Sequence, residues 1–165
     1  MSDVRIERRT GVGMVTLRGD LGLLCGAIGC AVPGQRLSVR ESGEHVLWMS
    51  PDELLLICDD APARAAALAK ALADEFATVA DVSDARAVFD VEGRDAAATL
   101  AKLMPVDFAR LDPAEVRRTR MAQVPAALWR KGEGWRVVCF RSVADYAHAL
   151  LRNAADAPMP RLHGA

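Results

Sequence analysis

The chain contains an internal repeat, and this feature limits its possible folds more than any other. The stretch LWMSPDELLLIC in the first half corresponds to LWRKGEGWRVVCF in the second. Trp48 and Trp129 are about 81 positions apart, and so are Cys58 and Cys139. Self-similarity at a long fixed spacing indicates two copies of one structural unit. We therefore expect two related halves.

The predicted elements follow the same order in each half. VTLRGDLGLLCGAIGCAVP (residues 15–33) and FDVEGRDAAATLAKLMP (89–105) both predict a strand, a break, a helix and a proline stop. Each half predicts strand, helix, strand, strand, strand, helix, which is typical of an α+β fold of two tandem ferredoxin-like halves with mostly antiparallel sheets. We assign residues 1–77 to an N-terminal ferredoxin-like lobe, 78–155 to a C-terminal one, and 156–165, rich in Pro and Gly, to a flexible tail.

The repeat also resolves an ambiguity at Ser50-Pro51-Asp52-Glu53. Taken alone, these four residues resemble a helix N-terminus with a capping Ser and Pro at the first helical position. The second copy has RKGEG there, and two glycines favour a turn. We therefore predict a hairpin of residues 45–49 and 54–58. The unbroken apolar run at 54–58 indicates burial on both faces of its sheet.

The remaining elements follow from hydrophobic periodicity. A second hairpin is predicted from VPAALW and WRVVCF. Other strands are predicted at residues 13–18, 36–40, 78–82, 88–92 and 117–123. Helices are predicted at residues 20–30, 61–76, 94–103 and 142–153.

Composition excludes several classes of function. The chain of 165 residues is 52% apolar and 26% charged, with a formal net charge of −1. A near-neutral charge argues against electrostatic nucleic-acid binding. The N-terminus MSDVRIERRT lacks the apolar core of a signal peptide, and no apolar run approaches the roughly 20 residues of a membrane span. We expect a soluble cytoplasmic protein that binds neither nucleic acid nor membranes.

The glycines and cysteines give no motif for a cofactor or a metal. GLLCGAIG lacks the spacing of a phosphate-binding loop, so a packed helix with small residues is the better interpretation. The four cysteines form no CxxC pair, which argues against zinc. Cys58 and Cys139 could form a redox pair if the two halves met, but their apolar surroundings favour a core role for each.

Two further groups of polar residues are candidates for chemistry. The segment 81–86, with Asp81, Ser83 and Arg86, could hold an amine or a carboxylate, but it is more typical of an Asx or Ser turn with Arg86 paired to a neighbouring Asp. His148 lies near Asp145 on a predicted helix, with no nucleophile in a recognisable motif. His45 is interpreted as a strand-surface residue. No residue is assigned a catalytic, cofactor-binding or metal-binding role.

Some apolar residues suggest a partner protein. The segment 21–32 is apolar nearly all round, more than one small domain easily covers. Trp48, Trp129 and Trp135 are three of eight aromatic residues, and Trp is enriched where surfaces are buried on association. The alternative, which we favour for the three tryptophans, is that they lie in the core of the fold itself.

The chain resembles the gamma subunit family of heterotetrameric sarcosine oxidases over roughly residues 12–155. The resemblance rests on LWMSPDELLLIC, on VADVSDARAVFDVEGRDAAATLAKLMPVDF and on RMAQVPAALWRKGEGWRVVCFRSVADYAHALL. The most specific motifs are W-x-x-PDE-x-LL, DVSDAR-x-V-F-x-x-x-G-x-DA and R-S-x-A-DY. Each motif alone is weak, and the collinear set is fairly specific.

The resemblance implies a fold related to the folate-binding domain of the glycine-cleavage T-protein and of the tRNA-modification GTPase. It also implies a multi-subunit flavoenzyme whose alpha and beta subunits carry FAD, FMN, NAD and the tetrahydrofolate site. In such a complex sarcosine is oxidised to an imine, its one-carbon unit passes to tetrahydrofolate, and oxygen becomes hydrogen peroxide. The gamma subunit of this family is not known to supply catalytic groups.

We therefore expect a non-catalytic subunit that binds no cofactor itself. Its expected partners are the alpha, beta and delta subunits, chiefly alpha, whose folate-binding part it would brace. Two alternatives remain open. One is a stand-alone folate-binding or aminomethyltransferase-like domain that uses the region of residues 81–86. The other is a gamma-like subunit of a sister complex that acts on another N-methyl amino acid.

Overall fold

The structure is a computed structural model that describes residues 3–158. The predicted flexible tail therefore lies outside the described residues from position 159 onward. Residues 3–158 form ten β-strands, four α-helices and two single turns of 3-10 helix, Ser83–Ala85 and Arg141–Val143. In chain order the strands and α-helices are β1 (Arg5–Arg9), β2 (Gly13–Arg18), α1 (Leu21–Ile28), β3 (Ser38–Glu41), β4 (Glu44–Ser50), β5 (Glu53–Cys58), α2 (Ala61–Ala71), β6 (Thr78–Asp81), β7 (Arg86–Glu92), α3 (Ala96–Ala101), β8 (Val116–Met121), β9 (Val124–Lys131), β10 (Gly134–Phe140) and α4 (Ala144–Asp156).

Each half contains the predicted order of elements. The first half runs β2, α1, β3, β4, β5, α2, and the second runs β7, α3, β8, β9, β10, α4. The strands of the two halves form sheets with the same neighbour order, β3-β4-β5-β2 in the first and β8-β9-β10-β7 in the second. Within these sheets, β2–β5, β3–β4, β4–β5 and β9–β10 pair antiparallel. The predicted α+β class with two ferredoxin-like halves is confirmed.

A fifth strand completes each sheet, and it comes from outside the repeated order. β6 pairs with β2 in the first sheet, and β1 pairs with β7 in the second. Contacts accordingly divide the chain into a first unit, residues 10–86 with 114–117, and a second unit made of the other described residues. The lobes expected from the repeat, 1–77 and 78–155, differ from these units in the placement of β1 and β6. The difference arises because the repeat follows the sequence, whereas a strand joins the sheet that satisfies its backbone hydrogen bonds.

The segment Ser50-Pro51-Asp52-Glu53 is the turn of a hairpin, as the repeat predicts. Ser50 lies opposite Glu53 in the β4–β5 register, with an irregularity between Trp48 and Ser50. The Ser50 hydroxyl donates to Asp52 Oδ1 at 2.6 Å. In β5 the three successive leucines 54, 55 and 56 are all buried, so both faces of this strand are covered.

Each unit has its own hydrophobic core beneath its helices. In the first unit, alternate residues of β5 pack against α1 and α2, with Leu24 and Leu68 fully buried on the two helices. In the second unit, Phe89 and Val137 lie on β7 and β10 in the core with Leu100 of α3 and the buried residues of α4. Because side chains alternate along a strand, only every second residue of these strands belongs to the helix-side core.

The differences from the predicted elements include one unpredicted strand, one late start and one early end. β1, with the sequence RIERR, was not predicted, because its charged residues hide any apolar alternation. β3 begins at Ser38 and not at residue 36, since Arg36 has a positive φ of 61°. α2 ends at Ala71, five residues before the predicted end at 76.

Candidate functional site

The segment that begins at Asp81 forms a structural turn. Asp81 Oδ1 accepts hydrogen bonds from the Ser83 backbone N–H at 2.9 Å and from the Ser83 hydroxyl at 2.6 Å. The Ser83 hydroxyl oxygen in turn accepts from the Met14 backbone N–H at 2.9 Å. Hydrogen bonds from the side chain and backbone of Ser83 hold the pKa of the Asp81 carboxyl below its usual value. The interpretation as an Asx-type turn is confirmed, and the pairing of Arg86 with a neighbouring Asp stays a prediction.

The cysteines have the character of core residues. Cys58 belongs to the core of the first unit and Cys139 to that of the second, and neither forms a disulfide. Burial, together with nearby Glu44, raises the pKa of Cys58 to about 11. Burial and the neighbouring Cys30 raise the pKa of Cys25 to about 12. Thiols with such pKa values are poor nucleophiles at neutral pH, which favours the core interpretation.

The histidines are placed by packing. His148 stacks on Phe89 with ring centroids 5.7 Å apart, while Asp145 accepts from Arg8 Nη1 at 2.8 Å. Asp145 thus forms an exposed ion pair with Arg8 of β1. The prediction that His45 lies on the strand surface is wrong, because its exposed fraction is only 6%. The successive residues His45, Val46 and Leu47 are all buried, so both faces of this part of β4 are covered.

A buried ion cluster in the second unit was missed by the sequence analysis. Asp90 on β7 is only 3% exposed, and it accepts two hydrogen bonds from Arg136 on β10, from Nε at 2.7 Å and from Nη2 at 2.9 Å. Lys131 Nζ lies 3.0 Å and Arg9 Nε 3.6 Å from Asp90 Oδ2. One charged residue inside each of two apolar strand segments, VFDV and WRVVC, is the signal that could have found this pair.

The electrostatics of this cluster suit a structural role. Burial by itself would raise the pKa of Asp90, but hydrogen bonds from Arg136 and Lys131 outweigh burial and lower it. A carboxylate held ionised by a bidentate guanidinium is a poor proton donor or acceptor at neutral pH. The cluster therefore joins neighbouring strands of the second sheet.

An open groove of about 420 Å³ lies in the first unit, beside the start of α2. Its polar side chains include Glu44, Asp59, Asp60 and Arg64. Arg64 donates to both carboxylate oxygens of Glu44, at 2.7 and 2.9 Å, and to the Ile28 carbonyl at 2.8 Å. The hydrogen bond to Glu44 raises the pKa of Arg64. Because three of these side chains are carboxylates and one is a guanidinium, the groove has a net negative charge.

The helix N-termini of the first unit also disfavour an anionic cofactor. A dinucleotide phosphate binds to free N–H groups at the start of a helix. In α1 the Asp20 carboxylate accepts from the Leu23 N–H at 3.0 Å, and in α2 the Asp60 carboxylate accepts from the Ala63 N–H at 3.0 Å. Each carboxylate thus occupies the position where a phosphate would bind, so these residues do not fit a nucleotide or flavin phosphate.

Among the three tryptophans and the apolar residues of α1, some lie in the core and others are partly exposed. Trp129 and Trp135 are 2% exposed, and Trp135 packs edge-on against Phe108 with centroids 4.9 Å apart. The core interpretation is confirmed for these two, whereas Trp48 is only half-buried. In α1, Leu24 and Ile28 point into the core, but Leu23 remains 47% exposed.

Residues 3–158 also give three negative findings. No fully buried side-chain nitrogen or oxygen among them lacks a hydrogen-bond partner. Within the same range, no group of three or more His, Cys, Asp or Glu residues is arranged to hold a metal ion. None of the helices that the structure describes is long and apolar enough to cross a membrane.

Comparison with known protein families gives a match over most of the chain. The sarcosine oxidase gamma subunit family model matches residues 23–157. The sarcosine oxidase subunit gamma of Corynebacterium sp. strain U-96 is 37% identical over 147 residues, which are 83% of this chain and 70% of that protein. The subunit gamma of Corynebacterium sp. strain P-1 is 34% identical over 154 residues, 88% of this chain and 74% of that protein.

Two solved structures share the fold. A chain of the heterotetrameric sarcosine oxidase from Corynebacterium sp. U-96, in complex with pyrrole 2-carboxylate, superposes with a TM-score of 0.86 and 28% identity. The match covers 96% of this chain and 88% of that chain. The glycine cleavage system aminomethyltransferase T from Bartonella henselae has a TM-score of 0.71 and 14% identity, over 91% of this chain and 45% of that chain. The second likeness shows the fold alone.

Proposed function

Because this chain belongs to the sarcosine oxidase gamma subunit family, we propose that it is a non-catalytic subunit of a heterotetrameric sarcosine oxidase. The observation that carries the proposal is the match of 96% of the chain, at a TM-score of 0.86, to a chain of such a complex. Family membership makes other subunits its partners. The proposal names these as alpha, beta and delta, with alpha as the main contact, in a cytoplasmic complex.

The proposed reaction of the whole complex is sarcosine + tetrahydrofolate + O₂ → glycine + 5,10-methylenetetrahydrofolate + H₂O₂. Two electrons and two protons leave sarcosine as its methyl C–H and N–H become a C=N bond, and O₂ takes them up to form H₂O₂. Tetrahydrofolate then accepts the one-carbon unit and releases glycine. The proposal assigns FAD, FMN, NAD and tetrahydrofolate to partner subunits.

The polar residues of this chain support the non-catalytic role. Asp81 and Asp90 are each engaged by cations or hydrogen-bond donors that fix the carboxylate and lower its pKa. The buried thiols of Cys25 and Cys58 have raised pKa values. A general acid or base works best with a pKa near the working pH, and these groups are shifted away from it.

We assign the chain the task of bracing the folate-binding part of the alpha subunit. The fold shared with an aminomethyltransferase supports this assignment only as a likeness of architecture. A domain of the same fold as its neighbour can pack against it as a pseudosymmetric partner, since a twofold interface brings equivalent surfaces together.

Co-expression with the other three subunits, followed by affinity capture of this chain, tests the proposal. We expect all subunits to be recovered together, and sarcosine-dependent H₂O₂ formation by the assembled complex. The variants Asp81→Asn and His148→Gln should leave kcat within about twofold, because neither side chain contacts substrate in the proposal. Recovery of this chain alone from the mixture would contradict the proposal.

The two alternatives give different results in the same preparation. Titration of the isolated chain with tetrahydrofolate should show no micromolar binding, which would correspond to about −8 kcal/mol. Such binding would favour a stand-alone folate-binding domain. Turnover of another N-methyl amino acid in preference to sarcosine by the assembled complex would favour the sister complex.

A further inference from the structure

Phe76 is a fully exposed aromatic residue in the turn between α2 and β6. Backbone hydrogen bonds of the residues on either side hold the turn in place. The Glu75 N–H donates to the Leu72 carbonyl at 3.0 Å, and the Ala77 N–H donates to the Glu75 carbonyl at 2.8 Å. Leu72 is buried in the core of the first unit, and Ala77 packs against that core. The turn is therefore anchored to the core of the first unit, while the Phe76 ring is exposed to solvent.

A second exposed apolar side chain lies at the same end of the first unit. A Cβ placed on Gly19 would lie 3.0 Å from the Phe76 carbonyl oxygen, so the Phe76 turn packs against the residue that precedes Asp20, the N-cap of α1. Leu23 lies in the first turn of α1 and is 47% exposed. Helical side chains lean toward the N-terminus of their helix, which brings Leu23 toward Gly19 and the Phe76 turn. We call Leu23 and Phe76 together the Phe76 surface.

Three carboxylates lie next to this apolar surface in the chain. Asp20, Asp74 and Glu75 are exposed, and Lys70, four residues before Asp74, offsets only one of the three charges. Arg18, at the end of β2, is instead engaged by Asp52 at 3.5 Å and by Glu53 at 3.7 Å. An apolar centre with a charged rim is the usual anatomy of a protein interface.

We propose that the Phe76 surface docks into an apolar pocket, bordered by basic side chains, on another subunit of the complex. The inference rests on the proposed function, which supplies the partner. The acidic rim selects the charge of that partner, because a surface with the same net charge would be repelled. A large aromatic residue at the centre of such a surface is typical of an interface hot spot.

Capture of partner subunits by tagged variants tests this inference. Phe76→Ser and Leu23→Ser should each lower the recovery of partner subunits by about tenfold or more, as expected for hot-spot residues. Phe76→Leu should retain most of the recovery. Phe140→Ser and Tyr146→Ser are matched controls, since these side chains are 47% and 51% exposed in the second unit. They should capture partners as the wild type does.

The acidic residues next to the Phe76 surface can be tested separately, through the salt dependence of the association rate. The double variant Asp74→Asn/Glu75→Gln should associate more slowly than the wild type at low salt and at a similar rate at high salt. Thermal unfolding of each isolated variant checks folding, and the midpoints should match the wild type because the substituted side chains are exposed.

The outcomes separate the two proposals. If the wild type itself captures no partner subunits, the proposed function fails. If the wild type assembles and Phe76→Ser assembles equally well, only the docking inference fails. A purified chain that dimerises through Phe76, detected by light scattering and abolished in Phe76→Ser, would assign the surface to a second copy and overturn the inference.

Discussion

At the scale of single residues, Asp90 shows how a charged side chain can be accommodated in the middle of an apolar strand. Its neighbours in β7 are Phe89 and Val91, both fully buried. An isolated carboxylate there would be strongly unfavourable, and the bidentate bond from Arg136 offsets that cost. Removing one partner of a buried pair is expected to destabilise more than removing both.

This expectation can be tested with three variants. Asp90→Leu should lower the free energy of unfolding by about 3 kcal/mol or more, because Arg136 then stays buried without its carboxylate. Arg136→Met should be similarly destabilising. The double variant Asp90→Leu/Arg136→Met should recover at least half of that loss, since Lys131 and Arg9 are exposed enough to turn to water. Urea unfolding followed by fluorescence of the buried tryptophans measures all three.

The Asp90–Arg136 pair should also make the stability of the protein depend on pH. The pKa of Asp90 is lowered in the folded protein, so its contribution to stability is present above its unfolded pKa of about 3.9 and is lost as pH falls through the lower folded value. The wild type should lose more stability below about pH 4 than the double variant does. Equal acid sensitivity, or additive losses in the double variant, would mean that Asp90 and Arg136 do not act as a pair.

At the scale of elements, β1 is an edge strand held by its ladder to β7 and, at its N-terminal end, by contacts of Asp3 with the residues that follow β7. Asp3 accepts from Arg94 Nε at 2.8 Å, and the Asp3 N–H donates to the Asp95 carboxylate at 2.9 Å. Gly93 allows this close approach, because it has φ of 109° and a Cβ there would meet the Asp3 carbonyl oxygen.

Gly93→Ala should therefore loosen β1. We expect a loss of about 2–3 kcal/mol from the forced backbone conformation and the clash, together with faster proteolysis near residues 3–9. Gly132→Ala is the matched control, since Gly132 has φ of 57° in an open turn with no atom near its missing Cβ. It should cost only about 1 kcal/mol and leave the N-terminus protected. Equal effects of the two substitutions would argue against the clash at Asp3.

The elements also show what the sequence could and could not predict. The β4–β5 hairpin was predictable because RKGEG in the second copy excluded a helix at Ser50. β1 was not, because a charged edge strand lacks the apolar alternation of a half-buried one. The Asp90–Arg136 pair joins residues 46 positions apart, and only the strand register brings them together. The exposure of Phe76 depends on α2 ending at Ala71, which hydrophobic spacing alone did not indicate.

At the scale of the whole molecule, the repeat in the sequence and the units in space do not coincide. β6 completes the first sheet although it follows the first repeat, and β1 completes the second sheet although it precedes both. Cutting the chain at the repeat boundary would therefore remove one strand from each sheet and leave one strand in each fragment without a sheet.

Two fragments of similar length test this division. A fragment of residues 10–86 keeps β2 paired on both sides and should unfold cooperatively, although less stably than in the full chain because residues 114–117 are missing. A fragment of residues 1–77 lacks β6 and should show little amide protection in β2. Cooperative unfolding of 1–77 with protection equal to that of 10–86 would show that β6 is dispensable. Hydrogen exchange and calorimetry provide the comparison.

The placement of β1 has a consequence for the chain as it leaves the ribosome. β1 is made first, but β7 ends at Glu92, and at about 5–20 residues per second the delay is roughly 4–17 seconds. Throughout that interval Arg5–Arg9 has no strand to pair with, while the first sheet can already close around β6. Four charges in five residues keep such a waiting segment hydrated and discourage it from joining another nascent chain. The charged residues that make β1 difficult to predict from the sequence thus also keep it from pairing with other chains until β7 is synthesised.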